Sequence, residues 1–237
     1  MVNYNLCLDG VSNEDVGIRL QGSLAISAAV PKVQKISVPG RNGDLHYYDG
    51  SYENRPAQVG AYVYRPDFVK ESFGEINQWL FGSFGYRVLE TNDDPEHYML
   101  AMVTNGATVE ARIKKLAPFE LVFDCNPRRF LNTGKGTILI TKNISINNPT
   151  IFSAKPLYKI NGTGNGTLTI GAHTASFTAL DGYVYYDAET ENAYKGTVNK
   201  NNTVNAPGGL PFDGGQQVIN ISGDITSVEI IPRWWEL

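Results

Sequence analysis

The chain has 237 residues, a formal net charge of −4, 42% hydrophobic and 19% charged residues. That suffices for one large β domain or two of ordinary size, and it excludes intrinsic disorder. The mildly acidic balance argues against nucleic-acid binding by charge neutralisation, which needs a basic face, yet it would let DNA pass nearby without sticking. No apolar run approaches the ~20 residues of a membrane-spanning helix, so no membrane insertion is expected. Met1-Val-Asn-Tyr-Asn-Leu6 carries neither a basic region nor an apolar run. The expectation is a chain without a cleaved signal peptide, made in a cytoplasm.

In chain order, the first strong signal is Val38-Pro-Gly-Arg-Asn-Gly-Asp-Leu45. Pro39-Gly40 fits the centre of a type II turn, where proline presets φ and glycine supplies φ > 0. Asn42-Gly43 fits a primed hairpin turn. Together they predict a rigid reversal with Arg41 at its tip, a shaped arm and no catalytic motif. Val59, Ala61 and Val63 alternate with Tyr62 and Tyr64 as a strand. Residues 66–80 predict a helix with Val69, Phe73, Ile76, Trp79 and Leu80 on one face, Pro66 in its first turn and Gly82 at its stop. Ala107, Val109, Ala111 and Ile113 alternate with polar residues as a half-buried strand. A further strand runs from Leu116 to Cys125, with Cys125 in phase with Phe119, Leu121 and Phe123 and therefore a buried thiol. Cys7 and Cys125 are too few for a disulfide framework or a zinc site.

Near Asn126 the composition changes: most charges lie before residue 130, and Asn, Thr and Gly replace them beyond it. Short strands then recur at Thr137–Thr141, Leu157–Ile160, Thr167–Ile170, Ser176–Leu180, Gly182–Tyr186, Val218–Ser222 and Ser227–Ile231. Turn clusters such as Asn161-Gly-Thr-Gly-Asn-Gly166 and Pro207-Gly-Gly209 separate them. The expected fold class is mainly β: a β-rich α+β unit with one helix over residues 1–130, then a β-sandwich over 131–237, the boundary falling at 127–135.

The motifs that could carry chemistry do not hold together. Gly162-Thr-Gly-Asn-Gly166 resembles a dinucleotide loop, but a strand follows it where phosphate binding needs a helix, so it reads as a hairpin turn. Gly134-Lys-Gly-Thr137 fails as a P-loop for the same reason. Asp93-Asp94 and the group Asp187, Glu189 and Glu191 are carboxylate candidates for glycosidase chemistry, yet they lie in turn segments without a partnered acid. His46, His97 and His173 have no metal-binding spacing, and no G-x-S-x-G is present. The Asn-x-Ser/Thr sequons at Asn143, Asn161, Asn165, Asn201 and Asn220 read as turn residues. No enzyme, cofactor or metal site is expected. Tyr183 and Tyr185, set against Val184 and Tyr186, leave aromatic surface on both sides of a strand. Packing against another subunit or domain is the first use of such a surface, and Tyr183, Tyr185 and His173 are candidate glycan contacts.

Three stretches carry a family resemblance. They are Ile36–Leu45 with Tyr52-Glu-Asn-Arg55; Pro118-Phe-Glu-Leu-Val-Phe-Asp-Cys-Asn-Pro127; and Gly215–Gly223 followed by Val228-Glu-Ile-Ile-Pro-Arg-Trp-Trp235. In this order they resemble the distal tail protein (Dit) family of siphophages of Gram-positive bacteria, including its Pro-Gly-Arg-x-Gly segment. Gly209-Leu-Pro-Phe-Asp-Gly-Gly215 departs from the more regular Phe-Pro turn of that family. The resemblance implies a hexamer ring of the N-terminal domain around a channel, with a galectin-like C-terminal domain projecting outward. It implies a hub at the distal end of the tail tube that links the tube to the tail-tip, host-attachment apparatus and keeps the DNA channel open. Implied partners are the tail tube protein and the tail-tip (tail-associated) protein, with receptor-binding proteins docking at the periphery and double-stranded DNA passing without specific binding. The implied location is the virion tail tip, after assembly in the host cytoplasm. Residues 228–237 would return to complete the first domain. The interface candidates are Pro39, Gly40, Arg41, Asn42 and Gly43 with Trp234 and Trp235. The alternative is a carbohydrate-binding module that recognises cell-wall glycans through the C-terminal sandwich.

Overall fold

The computed structural model describes residues 3–64, 72–105 and 117–237. The strand expected over Ala107–Ile113 lies outside them, as do Pro66, Val69 and the side chain of Phe73. The chain divides into two units, Met1–Arg129 with Leu237, and Phe130–Glu236.

The first unit contains the strands Leu6–Leu8 (β1), Val11–Ser12 (β2), Ile18–Leu20 (β3), Ala25–Ile26 (β4), Pro31–Ile36 (β5), Leu45–Tyr52 (β6) and Arg55–Val63 (β7). The helix Ser72–Phe81 (α1) follows, then Arg87–Thr91 (β8), His97–Val103 (β9) and Ala117–Leu131 (β10). The main sheet runs β2-β1-β8-β9-β10-β7-β3, with β4 also on β7. Alternation drives it: every second residue of β7 from Arg55 to Val63 is buried, and β10 pairs antiparallel with Phe123 opposite Ala57 and Cys125 opposite Arg55. The predicted helix face is in place, with Ile76, Trp79 and Leu80 in the core. Each such side chain contributes about 1.5–3 kcal/mol on burial. The Trp79 indole N–H donates to the Val11 carbonyl at 3.1 Å, so its one polar group is satisfied. Cys125 is buried as expected, and burial pushes its thiol up to about 12.

The second unit contains Ile138–Ile140 (β11), Ile144–Asn148 (β12), Leu157–Ile170 (β13), His173–Asp187 (β14), Asn192–Lys195 (β15), Val198–Asn199 (β16), Val204–Asn205 (β17), Gly215–Ile231 (β18) and Trp235–Glu236 (β19). The order is β11-β18-β13-β14-β15-β16, with β12 on β18 and β17 on β14. Here the strands are longer than the sequence predicts. Three pairs of short expected strands are fused into the long strands β13, β14 and β18. Gly162–Gly166 is no hairpin turn: it lies inside β13, where the register slips against both β14 and β18. The reason is close approach. A Cβ on Gly162 would overlap the Asp224 carbonyl, and one on Gly166 would overlap the Ile225 side chain and the Ser222 carbonyl. Glycines here let two strands bulge past each other at short range.

Residues on either side of this bulged level meet in one core, from Tyr158 and Ile160 to Leu168 and Ile170. Tyr158 is fully buried, stacks on Tyr186 at 6.5 Å, and donates its hydroxyl to the Leu210 carbonyl at 2.9 Å. The idea that 228–237 returns to the first domain also needs revision. Val228 and Ile230 point into the second core, and Val228–Ile231 pair with β11 and β13. β19 pairs with the last residues of β10, where the Leu131 N–H donates to the Trp234 carbonyl at 2.9 Å within the second unit.

Candidate functional site

Strands β5 and β6 form their own two-stranded sheet, and every residue from 31 to 50 is exposed. Proline and glycine shape its tip as predicted: the Arg41 N–H donates to the Val38 carbonyl at 3.1 Å, and Gly40 has φ 78°, as a type II turn requires. Gly43 has φ 80°, but Asn42 is not in the left-handed region, so the expected primed turn is absent. The strands close at the Ile36–Leu45 pair, leaving residues 37–44 as one longer loop that holds Pro39, Gly40, Arg41, Asn42 and Gly43 together. Across the arm Val33 faces Tyr48, Gln34 faces Tyr47 and Ile36 faces Leu45. Neighbouring positions on a strand point to opposite faces. Val33 and Tyr48 therefore lie on one face and Ile36, Leu45 and Tyr47 on the other, with Tyr47 58% exposed. A bulge at Asp49–Ser51 is held by the Asp49 carboxylate, which accepts from the Ser51 N–H at 2.8 Å and its hydroxyl at 2.6 Å.

The two tryptophans named as interface candidates both make contacts within the second unit, Trp234 buried and Trp235 half-buried. Trp234 is 4% exposed and packs edge-on against Phe212 at 4.8 Å. Trp235 stacks on Phe152 at 4.4 Å, and its indole N–H donates to the Ser153 carbonyl at 3.0 Å. A buried indole such as Trp234 offers no contact surface.

Two of the carboxylate candidates, Asp94 and Asp187, are held by cations. Both oxygens of Asp187 accept from Arg233, at 2.7 and 3.2 Å. Asp94 accepts from Arg129 at 2.7 Å and lies 2.7 Å from His97 Nδ1. Burial alone would raise the Asp94 pKa, but hydrogen bonds from His97 and Arg129 outweigh it and hold the carboxyl below its usual range. Contacts of this kind order the turns that carry these two carboxylates.

The glycan candidates separate. His173 opens β14 and meets Asp213 at 2.9 Å, while Tyr183 and Tyr185 lie near the far end of the same strand. Around these two tyrosines the register assembles a half-buried outer face. Tyr185 lies opposite Tyr194, Lys159 and Asn161 face Tyr185 and Tyr183, and Glu229 and Ser227 continue the rows on β18. Sequence reasoning missed Tyr194, Lys159, Asn161 and Glu229, because only the cross-strand register brings them together. It also missed Val33, Ile36 and Leu45 on the arm, whose apolar pattern on flanks of a turn was the available signal.

No family model and no curated protein matches this chain. Its fold is similar to that of the Dit protein of phage SPP1, described as a paradigm of the hub adsorption apparatus in phages infecting Gram-positive bacteria. The match has a TM-score of 0.71 and 12% identity, and it covers 99% of each chain. The fold is Dit-like, as the sequence resemblance led us to expect.

Proposed function

We propose that this chain is a structural hub of a phage tail, a hexameric ring at the distal end of the tail tube that leaves a channel for DNA. It works by surface complementarity, without catalysis. Its proposed partners are further copies of itself, the tail tube protein and the tail-tip protein, with receptor-binding proteins at the periphery, and its proposed location is the virion tail tip.

The arm carries this reading. A two-stranded hairpin is marginal in water by itself, and β5–β6 presents apolar side chains on both faces. Covering each large one contributes about 1.5–3 kcal/mol. The proposed cover is a different patch on a neighbouring copy, because such heterologous contacts can close into rings. The fold shared with a protein described as a hub supports the same reading.

Light scattering after gel filtration tests it. The wild-type chain is expected to elute as a closed oligomer, and the double variant Val33→Lys, Tyr47→Lys as a monomer with an unchanged circular dichroism spectrum. Assembly unaffected by both lysines contradicts the role given to the arm.

A further inference from the structure

Asparagine precedes glycine at four places in the chain: residues 42–43, 105–106, 161–162 and 165–166. Three of these asparagines are restrained. The Asn161 amide donates to Ser227 at 3.1 Å and Glu229 at 3.3 Å, and Asn161 and Gly162 pair with β14 on one side and β18 on the other. The Asn165 side-chain carbonyl accepts from the Ala179 N–H at 3.0 Å, and its own N–H donates to Asp224 at 2.9 Å. Gly162 and Gly166 are buried. The Asn105 amide donates to the Glu120 carbonyl at 2.8 Å, and its side-chain carbonyl accepts from the Val122 N–H at 2.9 Å. Asn42 has none of these restraints. It and Gly43 are exposed in the loop 37–44 beyond the last pair of the arm. Among the described residues, no hydrogen bond engages the Asn42 side chain or the Gly43 N–H. Nothing lies within 4 Å of the place that a Cβ on Gly43 would take.

We propose that Asn42 is a self-modifying site, which deamidates through attack by the backbone nitrogen of Gly43. That nitrogen gives up its proton to hydroxide and bonds to Asn42 Cγ. The Cγ–Nδ2 bond breaks, and Nδ2 takes a proton from water and leaves as ammonia. The succinimide ring so formed takes up one water and opens at either carbonyl, giving aspartate or isoaspartate. Nothing besides water is consumed. The reaction asks three things of the chain. The following residue must leave its nitrogen open, which glycine does for want of a side chain. The peptide must be free to turn that nitrogen toward the side-chain carbonyl, and the side-chain amide must be unengaged. Where the backbone is fixed in a strand ladder, the local structure has to open first, and the reaction slows by the rarity of that opening. Conversion adds a negative charge beside Arg41, and isoaspartate also adds a carbon to the main chain of the loop. The arm tip is therefore expected to assemble less well as the chain ages, a consequence that rests on the hub reading.

Peptide mapping by mass spectrometry, on the full chain held at mildly alkaline pH, tests the proposal, with isoaspartate read by enzymatic methylation. The arm variant Val33→Lys, Tyr47→Lys is mapped alongside, so that a neighbouring copy does not shield the tip. Asn42 is expected to convert at least about tenfold faster than Asn105, Asn161 and Asn165 in the folded chain. In the urea-unfolded chain the four rates are expected to converge. Asn42→Gln is expected to abolish conversion in that peptide, because closing a ring with one more carbon is far slower. If Asn42 keeps its amide in both folded chains while the unfolded chain loses it, or if the four sites convert alike when folded, the proposal is overturned. Gel filtration of Asn42→Asp tests the consequence separately. Weaker assembly supports it, and assembly like the wild type overturns it. Mass mapping reads conversion in monomer and oligomer alike, so failure of the hub proposal and failure of this one are distinguished.

Discussion

Arg233 grips Asp187 through both terminal guanidinium nitrogens, at 2.7 and 3.2 Å, and thereby fastens the chain after β18 to the end of β14. Its backbone reinforces the attachment, since the Arg233 N–H donates to the Gly134 carbonyl at 3.0 Å. The position is conformationally costly: Arg233 has φ 57°, a left-handed value that disfavours any residue with a Cβ by about 1–2 kcal/mol. The ion pair, backed by burial of Trp234 next to it, holds the residue there.

Two substitutions separate these effects. Arg233→Ala loses the ion pair and keeps the unfavourable backbone, so it is expected to lower unfolding stability by about 1–2 kcal/mol. Arg233→Gly loses the same ion pair but relieves φ, and is expected to be no less stable than the alanine variant in urea unfolding. A glycine variant clearly weaker than alanine would mean that the backbone there is not under strain.

The bulged level of the long strands makes a second prediction. Gly166→Ala should cost about 2–3 kcal/mol, because its Cβ would overlap the Ile225 side chain and a backbone carbonyl. Gly22 has open space around it, so Gly22→Ala is expected to be nearly neutral. Thermal unfolding of the two variants side by side reads the difference.

These glycines also mark how far the sequence could be read. The helix face Ile76, Trp79 and Leu80 and the alternation in β7 were legible, because a core face repeats with the period of its element. A glycine cluster is ambiguous: Gly162–Gly166 looks the same whether the chain reverses or bends under a neighbour. What decides it is the approach of Asp224 and Ile225 from a strand far along the chain. The terminal tryptophans were legible as residues in need of partners, but the identity of Phe212 and Phe152 as those partners was not. The tyrosine face was half legible. Tyr183 and Tyr185 announced themselves, whereas Tyr194, Lys159 and Glu229 join them only through register.

Acid should loosen the segment around Asp213. The Ser153 hydroxyl, bonded at 2.5 Å, is the main influence that lowers the Asp213 pKa; burial opposes it, and His173 adds to the lowering. A carboxyl depressed in the folded state contributes stability that is fully present above its unfolded value of about 3.9 and is lost as pH falls through the folded value. Stability is therefore expected to decline below about pH 4. Asp213→Asn should flatten that limb while lowering stability at neutral pH. An unchanged acid limb in the variant would mean that Asp213 does not govern the acid sensitivity.

The arm tip should matter to assembly more than to folding. Gly40 needs its φ of 78°, which a β-branched side chain disfavours, and Arg41 is exposed. Gly40→Val and Arg41→Ala are each expected to raise the concentration needed for assembly by about tenfold or more, with melting of the monomer little changed. If both variants assemble like the wild type, the tip is only a turn.

The proposed hub role requires that copies of this chain close into a ring. Negative-stain imaging of the purified full chain at high concentration tests it most directly. Closed six-fold particles with a central hole are expected, and their loss in the Val33→Lys, Tyr47→Lys variant. Fields of uniform monomers from the wild-type chain would contradict it.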